Sequence, residues 1–334
     1  MAMLEVNHLS TEFATENGVV RAVRDVSFKV ERGEVLGIVG ESGSGKSQTM
    51  FSVMGLLSGN GKVVSGDISI DGQDISPKNY SDKEYEDKMS KIRGNDMAMI
   101  FQDPMTFLNP VLKIGTQLVE PILNHNDISK AEAEKRAIEL MRKVGIPSPE
   151  IRMQKYPFEF SGGMRQRIII AMALACNPKI IIADEPTTAL DVTIQAQVLD
   201  LIAHLKDELD SGIIMITHDL GVVASICDRI NIMYGGKVVE SGTADEIFYD
   251  PKHPYTKGLL SCISNPEEKE KKELHPIPGS PPDLLNITET CPFADRCEHA
   301  MKVCKMYMPE QKQYSDTHVC SCWLAHPLAQ KKGE

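Results

Sequence analysis

Residues 1–34 alternate apolar and polar positions, Leu4-Glu5-Val6 and then Ala22-Val23 through Val26-Ser27-Phe28-Lys29-Val30, with turn-forming runs at Glu16-Asn17-Gly18 and Glu31-Arg32-Gly33. A period of two broken by such turns predicts antiparallel strands with one buried face. Val35–Val39 is instead an uninterrupted apolar run, as a strand covered on both faces requires. A helix is predicted after it, from Lys46 to about Leu57. Gly66–Asp71 alternates again and ends in an Asp-Gly turn, which extends the antiparallel region. Ser76–Asp96 reads as a polar stretch, and Met97–Phe101 as a short apolar strand running into Gln102-Asp103-Pro104.

From Lys113 to Phe160 the period becomes helical. Ser129 and Glu132 have the spacing of a capping box, Ala133, Ala137, Leu140, Met141 and Val144 share one face, and Gly145 supplies the stop. Ser161–Cys176 reads as a helix with a glycine-rich start, Lys179–Ala183 as a buried strand, Val192–Leu209 as a helix, Ile213–Thr217 as a strand and Asp228–Val239 as a strand pair. Strands alternating with helices predict an α/β fold with a largely parallel sheet. Beyond residue 245 the character changes: Asn265–Lys272 is a charge run with the look of a solvated linker, and Ile277–Pro282 is proline-rich and extended.

The 334 residues suggest roughly two domains, and 42% apolar against 25% charged residues allows a full core. The net charge of −11 argues against a nucleic-acid binder relying on a basic face. No apolar run approaches the roughly 20 residues needed to span a bilayer. MAMLEVNHLS lacks a basic segment followed by an apolar core, so no signal peptide is expected and the chain is placed in the cytoplasm. Its eight cysteines are then not expected as disulfides. Cys176, Cys227 and Cys262 read as small buried residues, whereas the other five fall within Cys291–Cys322.

Three stretches carry chemistry. The first is Gly40–Ser47, GESGSGKS, between a predicted strand and a predicted helix. Gly40, Gly43 and Gly45 permit a tight turn, so the amides of Glu41, Ser42, Ser44 and their neighbours can line a phosphate at the positive end of a helix. Lys46 can reach the outer phosphates, and the Ser47 hydroxyl can hold Mg²⁺. The second is Ile180–Glu185, IIIADE, where a strand ends in adjacent carboxylates. In a nucleoside-triphosphate enzyme Asp184 would orient the Mg²⁺ shell and Glu185 would activate water. Standing alone, this run would read as a solvated acidic turn. The third is Phe160–Arg167, FSGGMRQR, a second glycine-rich cradle at a helix start.

The order GESGSGKS, FQDP, FSGGMRQR, IIIADEP, TTALD, THD resembles the ATP-binding-cassette ATPases over about residues 1–245. That resemblance implies a P-loop NTPase core with an antiparallel β subdomain and an α-helical subdomain over about 104–160. It also implies that Gln102 touches Mg²⁺ and the attacking water, that Glu185 is the general base, and that His218 is a switch contacting the γ-phosphate. Ser161, Gly162 and Gly163 would close over ATP held by the opposite subunit, and Asp191 would sit in the loop crossing the dimer interface. Gln48 stands where Thr is usual, and Met164 where the signature usually has Gln. Phe13 is the candidate adenine-stacking aromatic.

The tail adds Cys291-x5-Cys297-x6-Cys304 and Cys320-x-Cys322, with HPYTKGLL at 253–260 and PIPGSPPDLL at 276–285. This resembles the C-terminal extension of the oligopeptide/dipeptide importer ATPases. It divides the chain into a cassette at 1–245, a linker at 246–282 and a small Cys-rich domain at 283–334. Four thiolates suit a [4Fe–4S] cluster or tetrahedral zinc equally well, or could stay unligated. The resemblance favours iron–sulfur on Cys291, Cys297, Cys304 and Cys322, with Cys320 possible as the fourth ligand.

The function so implied is the ATP-hydrolysing subunit of a peptide importer. It would pair head to tail with a second cassette, work at the cytoplasmic face of the membrane on two transmembrane permease subunits, and reach a solute-binding protein only through them. Nickel or another solute is the nearest alternative cargo. A soluble cassette acting on nucleic acid or ribosomes is a distant one, disfavoured by the acidity of the chain.

Overall fold

The computed structural model describes residues 2–188, 191–208, 210–262 and 276–330. The expected charge run Asn265–Lys272, and Ala189 and Leu190 beside Asp191, lie outside them. Among the described residues no helix is long and apolar enough to cross a membrane.

In chain order the elements are β1 (Leu4–Thr15), β2 (Gly18–Val30), β3 (Val35–Val39), α1 (Lys46–Met54), β4 (Gly61–Ile70), β5 (Gln73–Asp74), α2 (Asp82–Ile92), β6 (Met97–Ile100) and α3 (Pro104–Phe107). Next come α4 (Ile114–His125), α5 (Lys130–Lys143), α6 (Pro149–Arg152), α7 (Gly162–Ala173), β7 (Ile180–Asp184), α8 (Val192–Glu208) and β8 (Gly212–Thr217). The chain continues through α9 (Leu220–Ile226), β9 (Arg229–Tyr234), β10 (Lys237–Thr243), α10 (Ala244–Tyr249), α11 (Pro254–Ser261), β11 (Lys312–Gln313) and β12 (Val319–Cys320). Contacts divide it into two compact units, one of Met1–Leu4, Lys29–Val35 and Ser69–Ile216, the other of Glu5–Phe28, Leu36–Ile68 and Thr217–Glu334.

In the first unit β6, β7 and β8 run parallel, with Met97 opposite Ile180 and Ile180 opposite Gly212. β6 and β7 are buried throughout, which is why they read as continuous apolar runs. The helical stretch forms as expected, and the Ser129 hydroxyl accepts from the Glu132 amide at the start of α5. Gly145 follows that helix at φ 75, the left-handed conformation that stops it.

One expectation needs correction. The polar stretch Ser76–Asp96 contains α2, opened by a reciprocal capping box between Ser81 and Glu84. Only Met89 and Ile92 of this helix are buried, so its apolar stripe is too narrow to show as a helical period.

In the second unit β2, β1 and β4 are hydrogen-bonded in that order, as the alternating pattern predicts. β3 is parallel to β9, with Leu36 opposite Arg229, and β9 is antiparallel to β10. α1 ends at Met54 rather than near Leu57, because Gly55 turns left-handed at φ 63 and its amide closes the last turn.

The Cys-rich tail belongs to the second unit. It lies in the same compact unit as Gly40–Ser47, and β12 extends the sheet by pairing antiparallel with β10, Cys320 opposite Glu240. Glu240, with its side chain fully buried, accepts from the His253 amide at 3.0 Å and the Lys252 amide at 2.6 Å, and pairs with His318 Nε2 at 2.8 Å. A carboxylate withdrawn from water needs several such partners, and here they fasten 252–253 and 318 to one strand. Glu246 makes a second clasp, accepting from Ser315 and from Thr317.

Candidate functional site

The loop between β3 and α1 is shaped by its glycines. A Cβ on Gly40 would stand 2.2 Å from the Met233 carbonyl oxygen, and one on Gly45 2.4 Å from that of Ala22. Gly45 also takes φ 101 as the N-cap of α1, so no side chain caps the helix and its first amides stay directed at the loop. Lys46 is 6% exposed, and its ammonium donates to the carbonyl oxygens of Gly40 at 2.7 Å and Glu41 at 3.0 Å. The Ser44 hydroxyl is buried beside Gly40 with no hydrogen-bond partner. A buried hydroxyl without a partner is costly, and an anion in the loop would relieve it. Glycine curvature, helix amides, an ammonium and an unpaired hydroxyl equip this loop to take a phosphate. Ser47 and Gln48 follow on the first turn of α1, both half-buried. Elsewhere in this unit Phe13 is part-exposed and lays its ring edge on Gly61, where a Cβ would meet Cε1 at 2.5 Å.

The first unit holds a second constellation. Asp184 ends β7 and is 5% exposed. Glu185 follows in a left-handed conformation at φ 46, its amide donating to the Ile216 carbonyl at 2.9 Å. Such a backbone costs about 1–3 kcal/mol in a residue other than glycine and is held only where its surroundings demand it. Its Oε2 accepts from Gln102 Nε2 at 2.8 Å and from the Thr188 hydroxyl at 2.9 Å. The structure thus brings Gln102 and Glu185 together, although 83 residues separate them. Sequence reasoning overlooked Thr188, whose only signal was its spacing three residues after the carboxylate.

In the same unit Ser161 is the N-cap of α7, its hydroxyl accepting from the Met164 amide at 3.4 Å. Ser161 and Gly162 are exposed, so a ligand can reach this helix start. Gly163 is buried, and a Cβ there would meet Ile194 of α8 at 2.6 Å. Asp191 caps α8, accepting from the Ile194 amide at 3.0 Å. In the second unit His218 is exposed just before α9, whose N-cap is Asp219.

The tail thiols form a third group. The Cys291 amide donates to the Cys304 carbonyl at 3.1 Å. Burial pushes the Cys291 thiol up to about 12, with the nearby thiols of Cys304, Cys322 and Cys297 adding to the rise. Burial pushes Cys322 up to about 11, with Cys297 and Cys304 contributing. Cys320 is raised too, first by burial and then by Glu240, which its strand faces. Cys320, on the sheet side, feels the Cys322 and Cys291 thiols as well. Among the described residues no three of His, Cys, Asp and Glu stand at metal-holding spacing. The donor chemistry suits a soft metal, but the thiols as placed do not close on one point.

Comparison with known proteins bears on all three groups. The family model described as ABC transporter matches residues 23–188, and that described as oligopeptide/dipeptide transporter, C-terminal region, matches 239–304. The chain is 52% identical over 330 residues to the oligopeptide transport ATP-binding protein OppD of Bacillus subtilis, covering 98% of this chain and 90% of that one. The chain belongs to the ABC transporter ATP-binding family. The same organism's dipeptide transport ATP-binding protein DppD is 51% identical, over 98% of this chain and 96% of its own. OppD of Salmonella typhimurium is 49% identical, over 96% and 93%. A solved dimeric ATP-binding cassette, in a post-hydrolysis state with ADP and Pi, is 27% identical with a TM-score of 0.63, covering 72% of this chain and 99% of that one. The cassette fold and an ATPase activity follow for this chain.

Proposed function

We propose that this cassette is the ATP-hydrolysing subunit of an importer for oligopeptides or dipeptides. The observation that carries the reading is the nearly full-length identity of about one residue in two to oligopeptide and dipeptide transport ATP-binding proteins, with the C-terminal region included in the match. Gly40–Ser47 binds the triphosphate, Lys46 neutralises its outer phosphates, and Phe13 stacks on adenine. Ser47, Asp184 and Gln102 would hold Mg²⁺, which would offset phosphate charge. Glu185 orients the attacking water and accepts its proton, with Gln102 and Thr188 fixing the carboxylate. His218 contacts the γ-phosphate.

Ser161, Gly162 and Gly163 act on the nucleotide of a second cassette, and Asp191 lies at that interface. The reading is supported by the exposed start of α7 and by the dimeric state of the solved relative. Permease subunits dock on residues 104–160, which expose Phe107, Val111, Leu112, Ile151 and Phe158. The chain then works at the cytoplasmic face of the membrane, and the solute-binding protein reaches it only through the permease.

The donor chemistry of the tail thiols Cys291, Cys297, Cys304 and Cys322 suits a [4Fe–4S] cluster, which they would hold as thiolates. Cys322, directly before Trp323, is taken as the fourth ligand ahead of Cys320. One purification tests both proposals. Chain isolated anaerobically from native membranes should bring two permease proteins, a second cassette and a peptide-loaded binding protein, and should contain iron and sulfide. Association with ribosomes or DNA would overturn the importer reading, and a nickel-loaded binding protein would replace the cargo. Zinc in place of iron, or no metal, would overturn the cluster.

A further inference from the structure

Glu41, the second residue of the phosphate loop, is gripped by residues far downstream in the chain. Its amide donates to the Tyr255 hydroxyl at 2.9 Å. Its carboxylate takes both terminal nitrogens of Arg296, at 2.6 and 3.1 Å. This guanidinium is almost wholly buried and spends its other donors nearby, Nε on the Pro278 carbonyl at 2.8 Å, and the terminal nitrogens on the Ile277 carbonyl at 3.2 Å and the Tyr234 hydroxyl at 3.1 Å. Tyr234, Tyr255 and Phe293 pack as one aromatic cluster, with ring centroids 4.5–5.3 Å apart.

A forked, buried arginine fully committed to fixed carbonyls is a rigid anchor rather than a mobile surface charge. The loop it holds has backbone freedom at its centre. Gly43 and Gly45 have positive φ, and a Cβ on Gly43 would meet nothing within 4 Å. Ordering such a loop upon ligand binding costs affinity, and a contact that orders it beforehand recovers that loss. Arg296 also directly precedes Cys297 and lies five residues after Cys291, so the thiol segment carries the anchor.

We propose that Arg296, with Tyr255, is a positioning element for nucleotide binding, through which the C-terminal extension presets the phosphate loop at Glu41. The inference rests on the ATPase reading and adds that the tail is part of the nucleotide receptor. Because coupling is reciprocal, ATP in the loop should in turn steady the 291–297 segment.

The test is MgATP binding to the full chain, with steady-state kinetics in the assembled complex. Arg296→Ala should weaken binding about tenfold, with the loss falling on KM rather than kcat. Arg296→Lys, which keeps the charge but not the fork, should lie between. The double variant Arg296→Ala with Glu41→Ala should bind no more weakly than Arg296→Ala alone. A well-folded Arg296→Ala chain binding within twofold of wild type, or an additive double variant, would overturn the proposal. Should Arg296→Ala not fold, Glu41→Gln decides: about threefold weaker binding supports the proposal, and unchanged binding overturns it. A wild-type chain that bound no ATP would overturn the ATPase reading, and this inference with it.

Discussion

Glu185→Gln is expected to lower ATP turnover by about a hundredfold or more while leaving ATP binding intact. The substitution keeps side-chain length and an acceptor oxygen for Gln102 and Thr188, whose donors lie 2.8 and 2.9 Å from Oε2. What it removes is the ability to take a proton from water attacking the γ-phosphorus. The backbone at Glu185, left-handed at φ 46, is anchored by its own amide to the Ile216 carbonyl and does not depend on the carboxylate. The variant should therefore fold as wild type and hold ATP without cleaving it. Single-turnover phosphate release beside equilibrium ATP binding separates the two effects. Hydrolysis near the wild-type rate would remove Glu185 from the role of base.

Lys46→Met should act one step earlier. Methionine preserves much of the buried stem but removes the ammonium that now bridges the Gly40 and Glu41 carbonyls. Two carbonyls facing inward then lack their donor, and the triphosphate loses a cation. ATP binding is expected to weaken by about ten- to a hundredfold, in line with hydrogen bonds to charged groups. Titration with a fluorescent nucleotide measures this directly, and affinity within threefold of wild type would contradict the assigned role. The two variants thus separate binding from cleavage.

The parts of the fold that were legible share a physical cause. Val35–Val39 and Ile180–Asp184 are buried along their whole length, so Val35–Val39 and Ile180–Ala183 appear as apolar runs ending near where the polypeptide must turn. Gly45 has to be glycine for steric reasons, which is why the loop is visible in sequence. α2 was hidden because only two of its residues, Met89 and Ile92, are fully buried, and its one local signature was the Ser81 to Glu84 spacing. The clustering of the thiols was legible, but their attachment was not. β12 joins the sheet through a two-residue strand, and Arg296 meets Glu41 across 255 residues. Nothing in local periodicity encodes a salt bridge of that span. The extension consequently reads as an appendage in sequence but packs as part of the unit that carries the phosphate loop.

The most direct test of the account is ATP hydrolysis by this chain in the complete transporter, reconstituted in vesicles with its permease and binding protein. Hydrolysis should rise when the binding protein carries peptide, peptide should accumulate across the membrane, and both should vanish with Glu185→Gln. Hydrolysis indifferent to peptide, or peptide uptake undiminished by Glu185→Gln, would contradict it.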